Sequence, residues 1–353
     1  MSTVYFNGFE WFSFYENIHS WDGFSIDIVS QTDKLRNIGT TTVPRSGNYC
    51  LFIRSYDSFV RWQTIELTEF YFQMGIRLLS SYNDGNILEW ADDSLNVLGS
   101  VTFNPADQKM SVYIGNQTTK IGTSTVQLQY DRWYLIEFHV ILDPSSGSFE
   151  FKIDGQSQFT FNGATTPSST TASWFYLTGE KKDGTLSTSS WYWADDIIIN
   201  DTTGTSNNSW PNGAKVILLL PTGRGGSTQW EKYAGLDNYY NVSQYPTLDP
   251  DKYVYTDHTG KLDLYALQDL STEVYEIGAV RVDAWALKNS GSEIKLQLSL
   301  LTSGLTFTSP DNELGTSYGL IQWLHQLNPG TSVDWSITDI NNLQSGIKSN
   351  VPE

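Results

Sequence analysis

The sequence is poor in cysteine, in basic residues and in long apolar runs, and each shortage excludes a class of protein. One cysteine in 353 residues leaves no internal disulfide framework, and Cys50 lies in an apolar stretch where a free thiol packs as a small core side chain. The formal net charge of −18, from 39 acidic and 21 basic residues, repels nucleic-acid phosphates and anionic lipid headgroups. We therefore expect neither nucleic acid nor a membrane as a partner.

Signals for export and for membrane insertion are lacking as well. The first residues contain no basic segment followed by an unbroken apolar core. No apolar run reaches the roughly 18 residues that indicate a membrane-spanning helix. These features predict a soluble protein that is made in the cytoplasm.

Aromatic residues are abundant, at 14% of the chain, and they favour strands. Residues 132–155 are predicted to form one hairpin, because apolar and polar side chains alternate in both halves, as at Ile136, Glu137 and Phe138. A polar turn separates the halves, and Asp154-Gly155 follows the second. The pattern predicts antiparallel strands of a jelly-roll sandwich, with one face on a core and the other more open to solvent.

The remaining pattern divides the chain in two. Strands are predicted at 49–54, 70–79, 86–91, 97–103, 110–115, 132–141, 148–154, 174–179 and 191–200. A polar, glycine-containing run at 201–209 predicts a domain boundary near residue 206. Further strands are predicted at 215–220, 261–266, 275–288 and 293–302, and a short helix that Thr338 caps within 332–346. We expect an all-β chain, with a jelly-roll domain at 1–205 and a smaller β-rich domain with a short C-terminal helix at 206–353.

Motifs that carry catalysis are scarce. The nearest approach to paired carboxylates is Glu150 with Asp154, which share a strand face with Lys152 between them and are typical of a solvated surface. The four histidines are isolated from one another in sequence and from any serine elbow. We therefore predict no catalytic residues and a protein that is not an enzyme.

Two sets of residues are candidates for ligand binding. Asp195, Asp196 and Asp201 offer the oxygen ligands that calcium prefers, although a buried carboxylate there can also bond backbone amides. Trp191 and Trp193 lie on one strand face, where their rings either stack on a sugar or fill a core or an interface. Apart from calcium, no cofactor is expected.

Three segments within residues 1–205 stand out, namely Asp131-Arg-Trp-Tyr134, Ser146-Gly-Ser-Phe-Glu-Phe-Lys-Ile-Asp-Gly155 and Trp193-Ala-Asp-Asp-Ile-Ile-Ile199. Together they resemble the concanavalin A-like, laminin-G-like jelly roll. Six more are Phe6-Asn-Gly-Phe-Glu-Trp11, Asn200-Asp-Thr-Thr-Gly204, Leu219-Leu-Pro-Thr-Gly223, Ser227-Thr-Gln-Trp230, Asp263-Leu-Tyr-Ala-Leu267 and Asp334-Trp335. Across nearly the whole chain, these resemble structural proteins of tailed bacteriophages that carry such a jelly roll.

The second resemblance implies a role in the virion. We expect a protein that decorates the capsid or forms part of the tail or a fibre, that is made in the host cytoplasm, and that contacts other virion proteins. Symmetric particles favour a homo-oligomer, for which we predict a trimer. An alternative is a carbohydrate-binding adhesin for a host-surface glycan. A glycan-cleaving enzyme would need two carboxylates that face each other about 5–10 Å apart.

Overall fold

The computed structural model describes residues 3–7, 27–30, 44–46, 49–53, 60–80, 85–177, 192–235, 237–243, 249, 251–270, 276–289 and 293–350. These residues form two compact units, of which the first ends at Ile217 and the second continues from Leu218. The boundary predicted near residue 206 falls inside the first unit. No helix in the described ranges is both long enough and apolar enough to cross a membrane.

The first unit is built from antiparallel strands. They are β1 (Thr3–Asn7), β2 (Asp27–Ser30), β3 (Tyr49–Ile53), β4 (Val60–Leu67), β5 (Glu69–Leu78), β6 (Gly85–Ala91), β7 (Val97–Asn104), β8 (Lys109–Ile114), β9 (Thr119–Thr123), β10 (Trp133–Ile141), β11 (Gly147–Ile153), β12 (Gln156–Gly163), β13 (Ala172–Leu177) and β14 (Tyr192–Asp201). The large sheet has the order β12-β11-β10-β5-β14-β3-β2, with β1 also paired to β14, and the small sheet has the order β4-β13-β6-β7-β8-β9.

Aromatic side chains fill the space between the two sheets. Phe138 of the large sheet lies 5.3 Å, centroid to centroid, from Trp90 of the small sheet. Phe70 packs edge-to-face on Phe175 at 5.2 Å, again across the two sheets. Such pairs each contribute about 0.5–1.5 kcal/mol beyond the burial of their area. This sandwich confirms the predicted all-β, jelly-roll class.

The predicted hairpin is present as β10 and β11. Phe138 pairs with Phe151 and Val140 with Phe149, which places the apolar row of both strands on the inner face. We expected the outer face of the sheet to be more open to solvent. This does not hold for every strand, because β14 is buried along its whole length. A segment that follows β14, described below, covers part of that outer face.

The turn of the hairpin depends on Asp143. Its Oδ1 accepts hydrogen bonds from the backbone amides of Ser145 at 2.8 Å and Ser146 at 2.7 Å. These bonds lower the pKa of the Asp143 carboxyl from 3.8 to about 2.

We predict that Asp143 titrates near pH 2 in an NMR titration of the folded chain. Because the folded pKa lies below the unfolded one, the turn stabilises the folded state above about pH 4, and this contribution is lost as the pH falls towards 2. Asp143→Asn should therefore flatten the acid limb of the stability curve. A measured pKa near the ordinary value would contradict the turn geometry.

The second unit contains shorter strands and two short helices. They are β15 (Pro221–Thr228), β16 (Glu231–Lys232), α1 (Asn238–Val242), β17 (Val254–Tyr255), β18 (Leu262–Leu267), β19 (Val280–Ala286), β20 (Lys295–Thr302), β21 (Leu305–Thr308), β22 (Gly319–His325), α2 (Ile337–Asn341) and β23 (Gln344–Asn350). One sheet has the order β15-β18-β23-β20-β21, and the pairs β16-β17 and β19-β22 are separate. The core of the second unit is formed by side chains of β19, β20, β22 and α2, such as Leu298 and Ile340, together with Trp335, which precedes α2.

Two local predictions for this half of the chain are wrong. Ser336, not Thr338, caps α2, because the Ser336 hydroxyl accepts from the Asp339 amide while the Asp339 carboxylate accepts from the Ser336 amide. The apolar run 215–220 is not a strand but an extended segment without ladder pairing.

Candidate functional site

Two of the three aspartates proposed for calcium, Asp195 and Asp196, lie at a bulge in β14, where the register with β5 shifts and Asp196 takes a φ of 48°. Asp195 accepts from the backbone amides of Arg45 at 2.9 Å and Ser46 at 3.1 Å. Its other oxygen accepts from the Asp196 amide at 2.8 Å. Asp195 therefore bonds backbone amides, as the alternative interpretation of this residue anticipates.

Asp196 is fully buried and paired with a cation of the protein itself. One oxygen contacts the guanidinium of Arg45, and the other accepts from the Ser46 hydroxyl at 2.6 Å and the Val216 amide at 2.8 Å. Asp201 accepts from the amide and hydroxyl of Thr203, at 3.1 and 2.8 Å. The oxygens that a calcium ion would need are engaged by these donors. Within the described ranges, no three His, Cys, Asp or Glu side chains are grouped to hold a metal ion.

The two tryptophans proposed as a sugar platform are not seen together at a surface. Trp191 lies outside the described residues. Trp193 is 1% exposed and packs against Phe52, with ring centroids 5.2 Å apart, while the Arg77 guanidinium lies 5.0 Å from its ring centroid. Its ring thus faces protein.

Residues 209–216, which we call the strap, cross the outer face of the large sheet. Polar side chains of that sheet hold the strap by its backbone. Glu137 accepts from the Asn212 amide at 3.1 Å, Gln73 bonds both the Gly213 amide and the Ala214 carbonyl at 2.8 Å, and Asp196 holds Val216 as above. The strap places residues after 206 in the first unit and covers part of the outer face of β14, at Asp196.

Burial by the strap changes the electrostatics of Glu137. The side chain is 2% exposed, and this burial raises the pKa of its carboxyl, while the Asn212 amide and the charge of Lys152 act in the opposite direction. A carboxylate in such a position is a frequent sign of an active site. Here its hydrogen-bond partner is the strap, so its observed role is structural.

At the start of the strap, Trp210 meets an aromatic and charged group of the large sheet. We call this group the sheet-face cluster; it consists of Glu69, Tyr71, His139, Lys152 and Trp210. His139 Nε2 lies 2.7 Å from Glu69 Oε1, and the His139 ring stacks on Tyr71 at 4.2 Å. Trp210 packs edge-on against Tyr71 at 5.3 Å, and Lys152 Nζ lies 3.4 Å from the Trp210 centroid. Burial, followed by the charge of Glu69, raises the pKa of Tyr71. These contacts fasten the first residues of the strap.

The second unit presents a different surface, in which tyrosine rings face solvent. Tyr233, Tyr240 and Tyr255 are 57%, 50% and 44% exposed. Tyr253 stacks on Tyr233 with centroids 4.7 Å apart, and Tyr255 lies 6.1 Å from Tyr253. We call these four residues the tyrosine patch. In the sequence, the visible signal for this region is the presence of six tyrosines between residues 233 and 255.

Charged groups border the tyrosine patch. Lys252 Nζ lies 5.3 Å from the Tyr240 ring centroid and 3.1 Å from an Asp249 oxygen. The pKa of Tyr255 is raised above its ordinary value, chiefly by a hydrogen bond to Glu231, so this hydroxyl stays protonated at neutral pH. The patch combines aromatic faces with hydrogen-bonding groups at their edges.

Comparisons with known proteins place the chain by fold only. No family model matches it, and no curated protein matches it. Among solved structures it is similar to an endo-beta-1,4-glucuronan lyase from the fungus Trichoderma reesei, with a TM-score of 0.40, 11% identity, and coverage of 57% of this chain and 96% of that chain. It is also similar to the alginate lyase Aly36B, with a TM-score of 0.33, 10% identity, and coverage of 52% and 96%. A heptameric SAP-like pentraxin from Limulus polyphemus follows, with a TM-score of 0.32, 13% identity, and coverage of 40% and 68%.

These findings correct one prediction from the sequence. The chain was expected not to be an enzyme, whereas two of the three similar structures are polysaccharide lyases. The prediction of a non-enzyme is therefore wrong.

Proposed function

We propose that this chain is a component of a tailed-bacteriophage particle, on the head or on the tail, where it contacts other virion proteins as a homo-oligomer. The proposal starts from the segments that resemble phage structural proteins. Two of them, Ser227-Thr-Gln-Trp230 and Asp263-Leu-Tyr-Ala-Leu267, are separate in sequence. Their contact in the folded second unit is the observation that carries the proposal.

The contact is made at Asp263, which is fully buried in β18. Its Oδ1 accepts from the backbone amides of Gln229 at 2.5 Å and Trp230 at 2.8 Å, although the two segments are 33 residues apart at Trp230. Its Oδ2 accepts from Asn238 Nδ2 at 2.6 Å and from the Tyr265 hydroxyl at 3.0 Å. The segments therefore form one structural centre, which supports a shared framework as the basis of the resemblance.

Two other segments of this resemblance, Asp334-Trp335 and Leu219-Leu-Pro-Thr-Gly223, also contribute residues to framework positions. Trp335 is buried in the core of the second unit, and its Nε1 donates to the His325 carbonyl at 3.3 Å. Leu220 and Gln268 bond each other, from the Leu220 amide to the Gln268 side chain at 3.1 Å and from the Gln268 amide to the Leu220 carbonyl at 3.0 Å. Residues at such positions determine a fold and leave the exposed surface free to differ.

The test is immunogold labelling of purified particles of the phage that encodes the chain, with mass spectrometry of the same particles. Gold over the head supports capsid decoration, and gold at the tail supports a tail or fibre component. Pre-immune serum on the same particles gives the background. Absence of the chain from purified particles would overturn the proposal. Light scattering of the isolated chain tests the homo-oligomer, for which a trimer is expected.

A second candidate function is recognition of a host-surface glycan. The exposed rings of the tyrosine patch favour it, because flat aromatic faces with polar edges suit the apolar faces and hydroxyls of a sugar. The two functions are compatible, since a protein on a particle surface can also bind the host.

A further inference from the structure

The tyrosine patch is unusual for the surface of a soluble protein. Large aromatic side chains are normally at least partly covered, and contiguous exposed groups of them mark interaction sites. Tyr233, Tyr240 and Tyr255 are each about half exposed; Tyr233 directly follows β16, Tyr255 lies in β17, and Tyr240 lies in the neighbouring helix α1. Such a group needs a ligand or partner to explain it.

The rings of the patch are held in place before any ligand arrives. Glu231 pairs with Tyr255 in the β16-β17 ladder, and the Tyr233 amide donates to the Tyr253 carbonyl at 3.0 Å. Tyr233 and Tyr253 are nearly parallel, with an interplanar angle of 15°. A tyrosine loses little side-chain entropy on binding, and pre-organised rings lose less.

The surroundings of the patch restrict the charge of its ligand. Between residues 231 and 257 the sequence has five acidic and two basic residues. Of the two basic residues, Lys252 is already paired with Asp249. Anionic glycans would therefore be repelled, as would nucleic acid. A neutral ligand suffers no such penalty.

The composition of the patch favours a sugar over a protein. The apolar centre of a protein interface is depleted in Lys, Glu and Asp, whereas Glu231, Asp249 and Lys252 border this patch. Within the described part of 231–257, the exposed large apolar side chains are all tyrosines. Their hydroxyls, together with Glu231, Asp249 and Lys252, offer the donors and acceptors that sugar hydroxyls require.

We infer that the tyrosine patch of the second unit binds a neutral oligosaccharide, with ring faces of Tyr233 and Tyr255 stacked on hexose units and the bordering polar groups bonded to their hydroxyls. This inference rests on the second candidate function, glycan recognition, and assigns it a site and a ligand class.

The test uses the full chain and calorimetric titration with neutral oligosaccharides of glucose, galactose and mannose, and with polyuronate and sialylated oligosaccharides as anionic probes. We expect a neutral oligosaccharide to bind, and the double variant Tyr233→Ala, Tyr255→Ala to bind it at least about tenfold more weakly. Leu305→Ala is the matched control, because Leu305 is also 57% exposed in the second unit but is not part of the patch. It should bind as the natural chain does.

The outcomes separate the inference from the function on which it rests. Neutral-glycan binding that survives in the double variant would overturn the site while glycan recognition stands. Stronger binding of the anionic probes would overturn the ligand class. No binding to any probe would overturn both. The variant Tyr233→Phe, Tyr255→Phe keeps the rings, so we expect it to retain most of the affinity and to show that loss in the alanine variant is not misfolding.

Discussion

Replacing Asp263 with asparagine should destabilise the second unit by about 3 kcal/mol. An asparagine oxygen can still accept from the amides of Gln229 and Trp230, but its NH₂ group would replace Oδ2. That group would then face two donors, Asn238 Nδ2 and the Tyr265 hydroxyl. The neutral Tyr265 hydroxyl can rotate to accept, but Asn238 Nδ2 can only donate, so two buried NH₂ groups would still face each other.

The measurement is urea unfolding of the full chain, followed by tryptophan fluorescence. Asp257→Asn is the control, because the Asp257 side chain is 86% exposed. It should change the free energy of unfolding by no more than about 0.5 kcal/mol. An Asp263→Asn chain that unfolds at the same urea concentration as the natural chain would contradict the proposed centre.

Removing the charge of Asp196 should destabilise the first unit by about 3–5 kcal/mol. Asp196→Asn leaves the Arg45 guanidinium, whose side chain is only 16% exposed, without its carboxylate partner. It also weakens the hold on the strap, because a neutral amide oxygen accepts from the Val216 amide more weakly than the Asp196 carboxylate does. We therefore expect faster proteolysis between residues 209 and 216 in the variant.

A double-mutant cycle isolates this ion pair. Arg45→Met combined with Asp196→Asn should be more stable than Asp196→Asn alone, because no unpaired charge then remains buried. Arg132→Met serves as a surface control, since Arg132 and Asp154 are 4.0 Å apart and largely exposed. It should cost less than about 1 kcal/mol. Strictly additive effects of the Arg45 and Asp196 changes would disprove the coupling.

The sequence predicts those parts of the fold that depend on near neighbours. The alternation in residues 132–155 predicts both strands of the hairpin, because the period of two is a local property. The strap was missed for the opposite reason. Its hydrogen-bond partners, Gln73 and Glu137, come from strands about 75–140 residues earlier in the chain. The apolar run 215–220 looks like a strand in isolation, and nothing local shows that it lacks a neighbouring strand.

The candidate sites likewise combine features that are visible in the local sequence with contacts that are distant in sequence. Asp195 and Asp196 attract attention as adjacent carboxylates, but their partners at residues 45, 46 and 216 cannot be read from spacing. The helix cap was misplaced by two residues because Ser336 and Thr338 are both good caps, and only the reciprocal bond of Asp339 distinguishes them. A count of the tyrosines between residues 233 and 255 would have pointed to the tyrosine patch, but tryptophans were considered as the sugar-binding candidates instead.

The strap also has a mechanical consequence. It is the last part of the first unit before Leu218, so a pull transmitted along the chain from the second unit reaches the bond between Val216 and Asp196 first. Its other attachments lie further back and would be loaded one after another. Once released, the eight residues of the strap would span up to about 25 Å when fully extended, and residues 202–208 would still separate them from β14. The junction is thus arranged to lengthen stepwise under load while the sandwich stays intact.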